Sequence, residues 1–81
     1  MNQFSDRIEI NPKILGGKPI IKGTRIPIYV ILRMLRGGAG FDQIIQEYPK
    51  ISVEDIKAAL DYSEYLVNHL DEEVVAIHED K

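Results

Sequence analysis

Eighty-one residues, 44% of them apolar, suffice for one small core and are too few for an enclosed cofactor cavity beside it. The absence of cysteine excludes a disulfide framework and a thiolate metal site, which suits a reducing cytoplasm. The net charge of −3 conceals a split: residues 1–40 carry seven cations against Asp6 and Glu9, whereas residues 41–81 carry Lys50, Lys57 and Lys81 against eleven acids. A chain divided in this way can offer a cationic face to an anionic partner despite an acidic total, although small domains also split charge without any such role. The N-terminal MNQFSDRIEINPK lacks the apolar centre of a signal peptide, and the run Ile26 to Leu32 is too short to span a bilayer, so a cytoplasmic, non-membrane protein is expected.

In chain order, Ile8-Glu9-Ile10 alternates as a short strand does, Asn11-Pro12 marks a turn, and Ile14-Leu15 reads as renewed extended chain before Gly16-Gly17. Ile20-Ile21 and Thr24-Arg25-Ile26 flank Lys22-Gly23, a spacing that predicts a tight two-residue reversal with Gly23 at positive φ. Residues 1–26 therefore read as a β-hairpin arm, with Gly16, Gly17 and Gly23 as its turn-forming positions.

A first helix is predicted from about Pro27 to Arg36, because Pro27 suits a first turn and Ile28, Ile31, Leu32 and Leu35 follow at helical spacing. Arg33 and Arg36 favour its C-terminal dipole, Gly37-Gly38 stop it, and Val30 and Met34 widen its apolar surface as burial on two sides would require, a second copy being one means. Asp42 is expected to cap a second helix, Gln43 to Tyr48, with Ile44, Ile45 and Tyr48 inward until Pro49 ends it. Ser52 and Asp55 resemble a capping box, with Ile51 and Ile56 at the staple positions, and a third helix follows to at least Asn68. Its expected inner face is Ile56, Leu60, Ser63, Val67 and Leu70, flanked by Ala59 and Leu66. The acidic residues 71–81 fit a frayed helix end, a short strand or a tail that orders on a partner. The fold class is thus mainly α: a single domain with a β-arm (1–26), a three-helix, helix-turn-helix-like core (27–70) and an acidic end (71–81).

For function, helices two and three with the turn between them have the outline of a helix-turn-helix, which any three-helix bundle shares. The face that would enter a major groove starts Val53-Glu54-Asp55 and continues with Lys57, Ala58 and Asp61, which phosphates repel. DNA contacts, if made, fall to the arm and to Arg33, Arg36, Lys50 and Lys57. Gly16-Gly17-Lys18 lacks the spacing and hydroxyl of a phosphate loop, and Pro19 removes a donor there. Lys18, Lys22 and Arg25 either bind an anionic partner or guard a strand edge, and the Arg25 guanidinium can clamp a carboxylate or phosphate with two hydrogen bonds. No catalytic constellation is expected, nor any cofactor or metal: His69 and His78 stand among acids, with no paired nucleophile. The four tyrosines read as core or rim aromatics, with Tyr62 and Tyr65 as possible interface anchors.

Ile10-Asn11-Pro12, Gly16-Gly17-Lys18-Pro19, Ile21-Lys22-Gly23-Thr24-Arg25-Ile26-Pro27, Gly38, IIQEYP and SVEDIKAAL, in that order, resemble the bacterial and archaeal family called domain of unknown function 433 over about residues 8–66. The resemblance implies a homeodomain-like, helix-turn-helix-like fold with an N-terminal β-arm, a homodimer, and an antitoxin role in type II toxin–antitoxin pairs with a PIN-like nuclease toxin as partner and operator DNA as a further one. Gly17, Lys18, Gly23, Thr24 and Arg25 match the family pattern; the cationic hairpin itself makes Lys18, Lys22, Thr24 and Arg25 the expected partner-binding set. An acidic, magnesium-binding pocket of such a nuclease would complement a cationic hairpin. Two readings stand beside this one: a regulator that binds its own promoter, and a non-catalytic interaction module without a nuclease partner.

Overall fold

A computed structural model describes residues 6–78. Strand β1 (Ile8–Glu9) pairs antiparallel with β2 (Ile20–Ile21), with Ile8 opposite Ile21 and Glu9 opposite Ile20. Three helices follow: α1 (Ile28–Arg36), α2 (Phe41–Glu47) and α3 (Val53–His78). The protein is therefore mainly helical, a three-helix unit with a two-stranded antiparallel sheet at its N-terminus.

Between the strands the chain turns twice. Asn11 opens the first turn, its carbonyl accepting from the Ile14 N–H at 2.8 Å and its side-chain oxygen from the Lys13 N–H at 2.9 Å. Ile14 is extended as expected, but Leu15 is not: Leu15–Gly17 form a short 3-10 turn in which φ is +52°, +66° and +89° in succession. Two glycines accept this backbone freely, whereas Leu15 is a branched residue in the left-handed region, held there by the turn around it. The second turn is the expected reversal. The Thr24 N–H donates to the Ile21 carbonyl at 3.0 Å, with Gly23 at φ +83°. The returning chain meets β2 only by the Ile21 N–H to Ile26 carbonyl bond and a bridge between Ile20 and Pro27, so β2 lies between β1 and this short return.

Helix α1 starts one residue after Pro27, which is extended, and the Ile28 N–H donates back to the Pro19 carbonyl at 2.9 Å. Its end follows expectation: Ala39 and Gly38 donate to the carbonyls of Met34 and Leu35, and Gly38 takes φ +99°. Helix α2 differs in its start. Gly40, not Asp42, occupies the cap, its carbonyl accepting from Gln43 and Ile44, while Asp42 lies in the first turn and makes no capping bond. Phe41 packs against the core, so its burial draws the helix start back to that residue.

Helix α3 has the expected reciprocal cap. The Asp55 N–H donates to Ser52 Oγ at 3.2 Å, and the Ser52 N–H donates to Asp55 Oδ2 at 2.9 Å. Ile51 and Ile56, at the staple positions, are both fully buried. The inner face departs from the expected one. Ile56, Ala59 and Tyr62 are buried, whereas Leu60 and Val67 are 38% and 52% exposed. Tyr62 fills the core position, and the buried series advances by three residues rather than four, which rotates Leu60 and Val67 off the contact. The helix continues through residues 71–78, so that part of the acidic end is helical; residues 79–81 lie outside the described residues.

The core draws on every element: Ile8, Ile21, Ile28, Ile31, Ile44, Ile51, Ile56, Ala59 and Tyr62 form one cluster. Ile20, Ile21, Ile31, Ile44, Ile51 and Ile56 are the largest fully buried side chains among the described residues, all but Ile20 within that cluster, and each contributes about 1.5–3 kcal/mol by leaving water. Arg7, just before β1, donates to Asp55 Oδ1 at 3.0 Å and so ties the sheet to the start of α3. Asp55→Ala removes the cap and this bond together and should cost about 2–3 kcal/mol in urea unfolding, whereas Arg7→Ala, at a half-exposed side chain, should cost about 1 kcal/mol or less.

Candidate functional site

The segment from Gly16 to Pro27 carries all four of the expected partner-binding residues, and its backbone is held from several sides. Thr24 is committed to the reversal: its hydroxyl donates to the Ile21 carbonyl at 2.7 Å and accepts from the Ile26 N–H at 3.0 Å. The Lys22 N–H donates to the Arg7 carbonyl at 2.8 Å. Lys22 and Arg25 themselves are exposed on either side of Gly23 and Thr24, on a turn fixed by hydrogen bonds rather than on a loose loop.

Lys18 has a different setting. Its ammonium lies 6.0 Å from the centroid of the Tyr29 ring, and the Arg33 guanidinium lies 5.1 Å from the same centroid. Tyr29 is 44% exposed, so an aromatic face on the surface holds two cations in place by cation–π attraction. The sequence-based sets place Lys18 with the arm and Arg33 with possible DNA contacts; the fold brings them to one tyrosine. Beside them a groove of about 300 Å³ runs between α1 and α3, with Ile28, Leu32 and Leu66 along it and Pro19 and Tyr62 at its sides. The groove thus has an apolar floor and a cationic rim.

Arg36, Lys50 and Lys57 are exposed at the end of α1, in the α2–α3 connection and on α3. On the first turns of α3, Asp55 is turned inward to Ser52 and Arg7, leaving Glu54, Lys57 and Asp61 as the exposed charges. Two acids against one base make a poor surface for phosphates. Among the described residues, Arg7–Asp55 is the one ion pair, and Lys18, Lys22, Arg25 and Arg33 have no carboxylate partner. Among the described residues no three His, Cys, Asp or Glu side chains converge as metal ligands would; the side chains of His69 and His78 lie outside that set. No helix among the described residues is long and apolar enough to cross a membrane.

Sequence reasoning missed Tyr29 as a platform, the groove, and Arg7. Lys18 and Tyr29 are eleven positions apart and meet only because Pro19 docks on the start of α1. Arg7 and Asp55 are 48 residues apart, beyond the reach of any local pattern.

This arrangement defines a small helical domain with a fixed basic turn and a cation-rimmed groove, and comparison places it among known proteins. The family model described as "Protein of unknown function (DUF433)" matches residues 8–63, and the chain belongs to this family. A curated relative, the uncharacterized protein y4eO of Sinorhizobium fredii (strain NBRC 101917 / NGR234), is 33% identical over 54 residues, or 67% of this chain. Those residues span 24% of the relative's own length. A crystal structure of a DUF433 member from Anabaena variabilis ATCC 29413 is similar with a TM-score of 0.72 and 32% identity, covering 85% of this chain and 68% of that one.

Because the Thr24 hydroxyl serves the turn and the neighbouring cations do not, their substitutions should separate. Thr24→Val should cost about 1–2 kcal/mol in urea unfolding, while Lys22→Ala and Arg25→Ala should each stay within about 0.5 kcal/mol of the parent.

Proposed function

We propose that this chain is a non-enzymatic, cytoplasmic antitoxin-like protein that binds a PIN-like nuclease toxin and blocks it, with the basic turn as the principal contact. The observation that supports this reading is the set of exposed cations, Lys22 and Arg25 on the turn with Lys18 and Arg33 beside it, none paired with a carboxylate among the described residues. A magnesium-dependent nuclease gathers carboxylates in its active site, and a rigid donor such as Arg25 can engage one with two parallel hydrogen bonds. Because the turn is already fixed by Thr24, little conformational entropy is lost on docking. The acidic exposed face of α3 argues against that helix as a reader of DNA, which leaves promoter binding as the second reading, supported by the α2–turn–α3 outline and by Arg33, Arg36 and Lys50.

The test is capture of partners by the full-length chain from nuclease-treated lysate of its own organism, followed by assay of any captured nuclease. A stoichiometric, magnesium-dependent nuclease that the purified chain inhibits, with affinity lowered about tenfold or more by Lys22→Ala with Arg25→Ala, is the expected result. Inhibition that survives both substitutions removes the turn from the contact. Capture of no nuclease, together with binding to upstream DNA whose log affinity falls by about 0.9 per phosphate against log salt, places the regulator first.

A further inference from the structure

We propose that the open groove between α1 and α3 binds a free aliphatic monocarboxylate of medium chain length, its hydrocarbon tail on the groove floor and its carboxylate at the Lys18 ammonium. This inference does not rest on the nuclease reading.

The groove has three walls: α1 supplies Ile28 and Leu32, α3 supplies Tyr62 and Leu66, and the segment before β2 closes one side with Lys18 and Pro19. These walls are in place before any ligand arrives. The Ile28 N–H donates to the Pro19 carbonyl at 2.9 Å, which fastens the third wall to the first, and Ile28 and Tyr62 belong to the core cluster. Apolar area that lines such a concavity gains by leaving water, and part of it still faces solvent, Leu66 being 41% exposed.

The polar groups of the groove select the head of the ligand. Ser63 Oγ already donates to the Ala59 carbonyl at 2.8 Å, so its proton is committed to its own helix. No acidic side chain is among the described residues that line the groove, and Lys18 has no carboxylate partner among the described residues. Its ammonium lies instead 6.0 Å from the Tyr29 ring centroid, and the Arg33 guanidinium, outside the lining, lies 5.1 Å from the same centroid. Two like charges gathered on one ring repel each other and raise the positive potential at that end of the groove, which an anionic head relieves. One cation in the lining itself matches a singly charged carboxylate, and the remaining walls offer the tail hydrocarbon.

Size selects the tail. A volume of about 300 Å³, at roughly 30 Å³ for each water-sized group, holds about ten non-hydrogen atoms. Octanoate has that size. A partner helix, about 10–12 Å across, offers only one or two side chains to so small a space.

Octanoate, with acetate as the head alone and 1-octanol as the tail alone, is titrated into the full-length chain and followed by amide and methyl NMR shifts. Octanoate should saturate one site with a Kd of about 0.1–1 mM, moving Ile28, Leu32 and Leu66 along a single curve. 1-Octanol should bind about threefold or more weakly, and acetate not measurably. Lys18→Gln, at an exposed position, should weaken octanoate about threefold, and about tenfold together with Arg33→Gln, while 1-octanol affinity and the urea midpoint stay unchanged. Leu66→Ser should weaken both ligands. Failure of octanoate to saturate below about 10 mM overturns the proposal. So do shifts confined to Lys22 and Arg25 that acetate reproduces, since these mark ion pairing at the basic turn. Equal affinity for octanoate and 1-octanol, or indifference to Lys18→Gln, removes the carboxylate from Lys18. Sedimentation should be the same with and without octanoate; binding seen only as a larger species dissociates shows the groove to be a protein contact and overturns the small-molecule site.

Discussion

Asp55 uses both oxygens of one carboxylate, Oδ2 for the Ser52 N–H at the start of α3 and Oδ1 for Arg7 before β1, and the relative placement of sheet and helices depends on that sharing. A capping acid ordinarily faces solvent and answers only to its own helix. Here the residue is only 9% exposed, so its charge has left water and must be balanced by partners. Both partners are in place, and no buried side-chain nitrogen or oxygen among the described residues lacks one. With the sheet fixed against α3, the carbonyl of Pro19, just before β2, accepts from the Ile28 N–H at the start of α1, and the position of the groove and of Tyr29 follows.

The core around this anchor is built almost wholly from isoleucine. A β-branched side chain has few rotamers to lose and little freedom to adjust, so six fully buried isoleucines specify one arrangement more narrowly than leucines or methionines would. In so short a chain that stiffness matters, because little apolar surface is available to absorb a misfit. It also explains why the turns are made from glycines and hydrogen-bonded hydroxyls: the strands are two residues each, and their pairing alone could not hold the basic segment in place.

The parts of the fold legible in the sequence were those governed by local chemistry. The Gly23 reversal, the glycine stop after Arg36 and the reciprocal Ser52–Asp55 cap each depend on residues within a few positions of one another, and the family pattern runs through the same stretches. The parts that were not legible depended on tertiary choice. Asp42 had the chemistry of a cap, but Phe41 was needed in the core and Gly40 took the cap instead. Leu15 read as extended because leucine rarely takes positive φ, and only the surrounding turn overrides that preference. Along α3, helical spacing allowed two apolar faces a fraction of a turn apart, and the size of Tyr62 decided between them. Of the candidate site, the cations and their turn could be read residue by residue, whereas the tyrosine that gathers Lys18 and Arg33 could not, since nothing local links the three.

The Arg7–Asp55 bond also bears on how the molecule opens. Small N-terminal sheets often fray independently of the helices behind them, because their few hydrogen bonds break without disturbing the core. In this chain β1 cannot lift away without releasing one oxygen of the carboxylate that caps α3 and exposing Ile8, which packs in the same cluster as Ile56. Fraying at the first strand is thereby coupled to the start of the last helix, and the basic turn, where the Lys22 N–H donates to the Arg7 carbonyl, is disturbed with them.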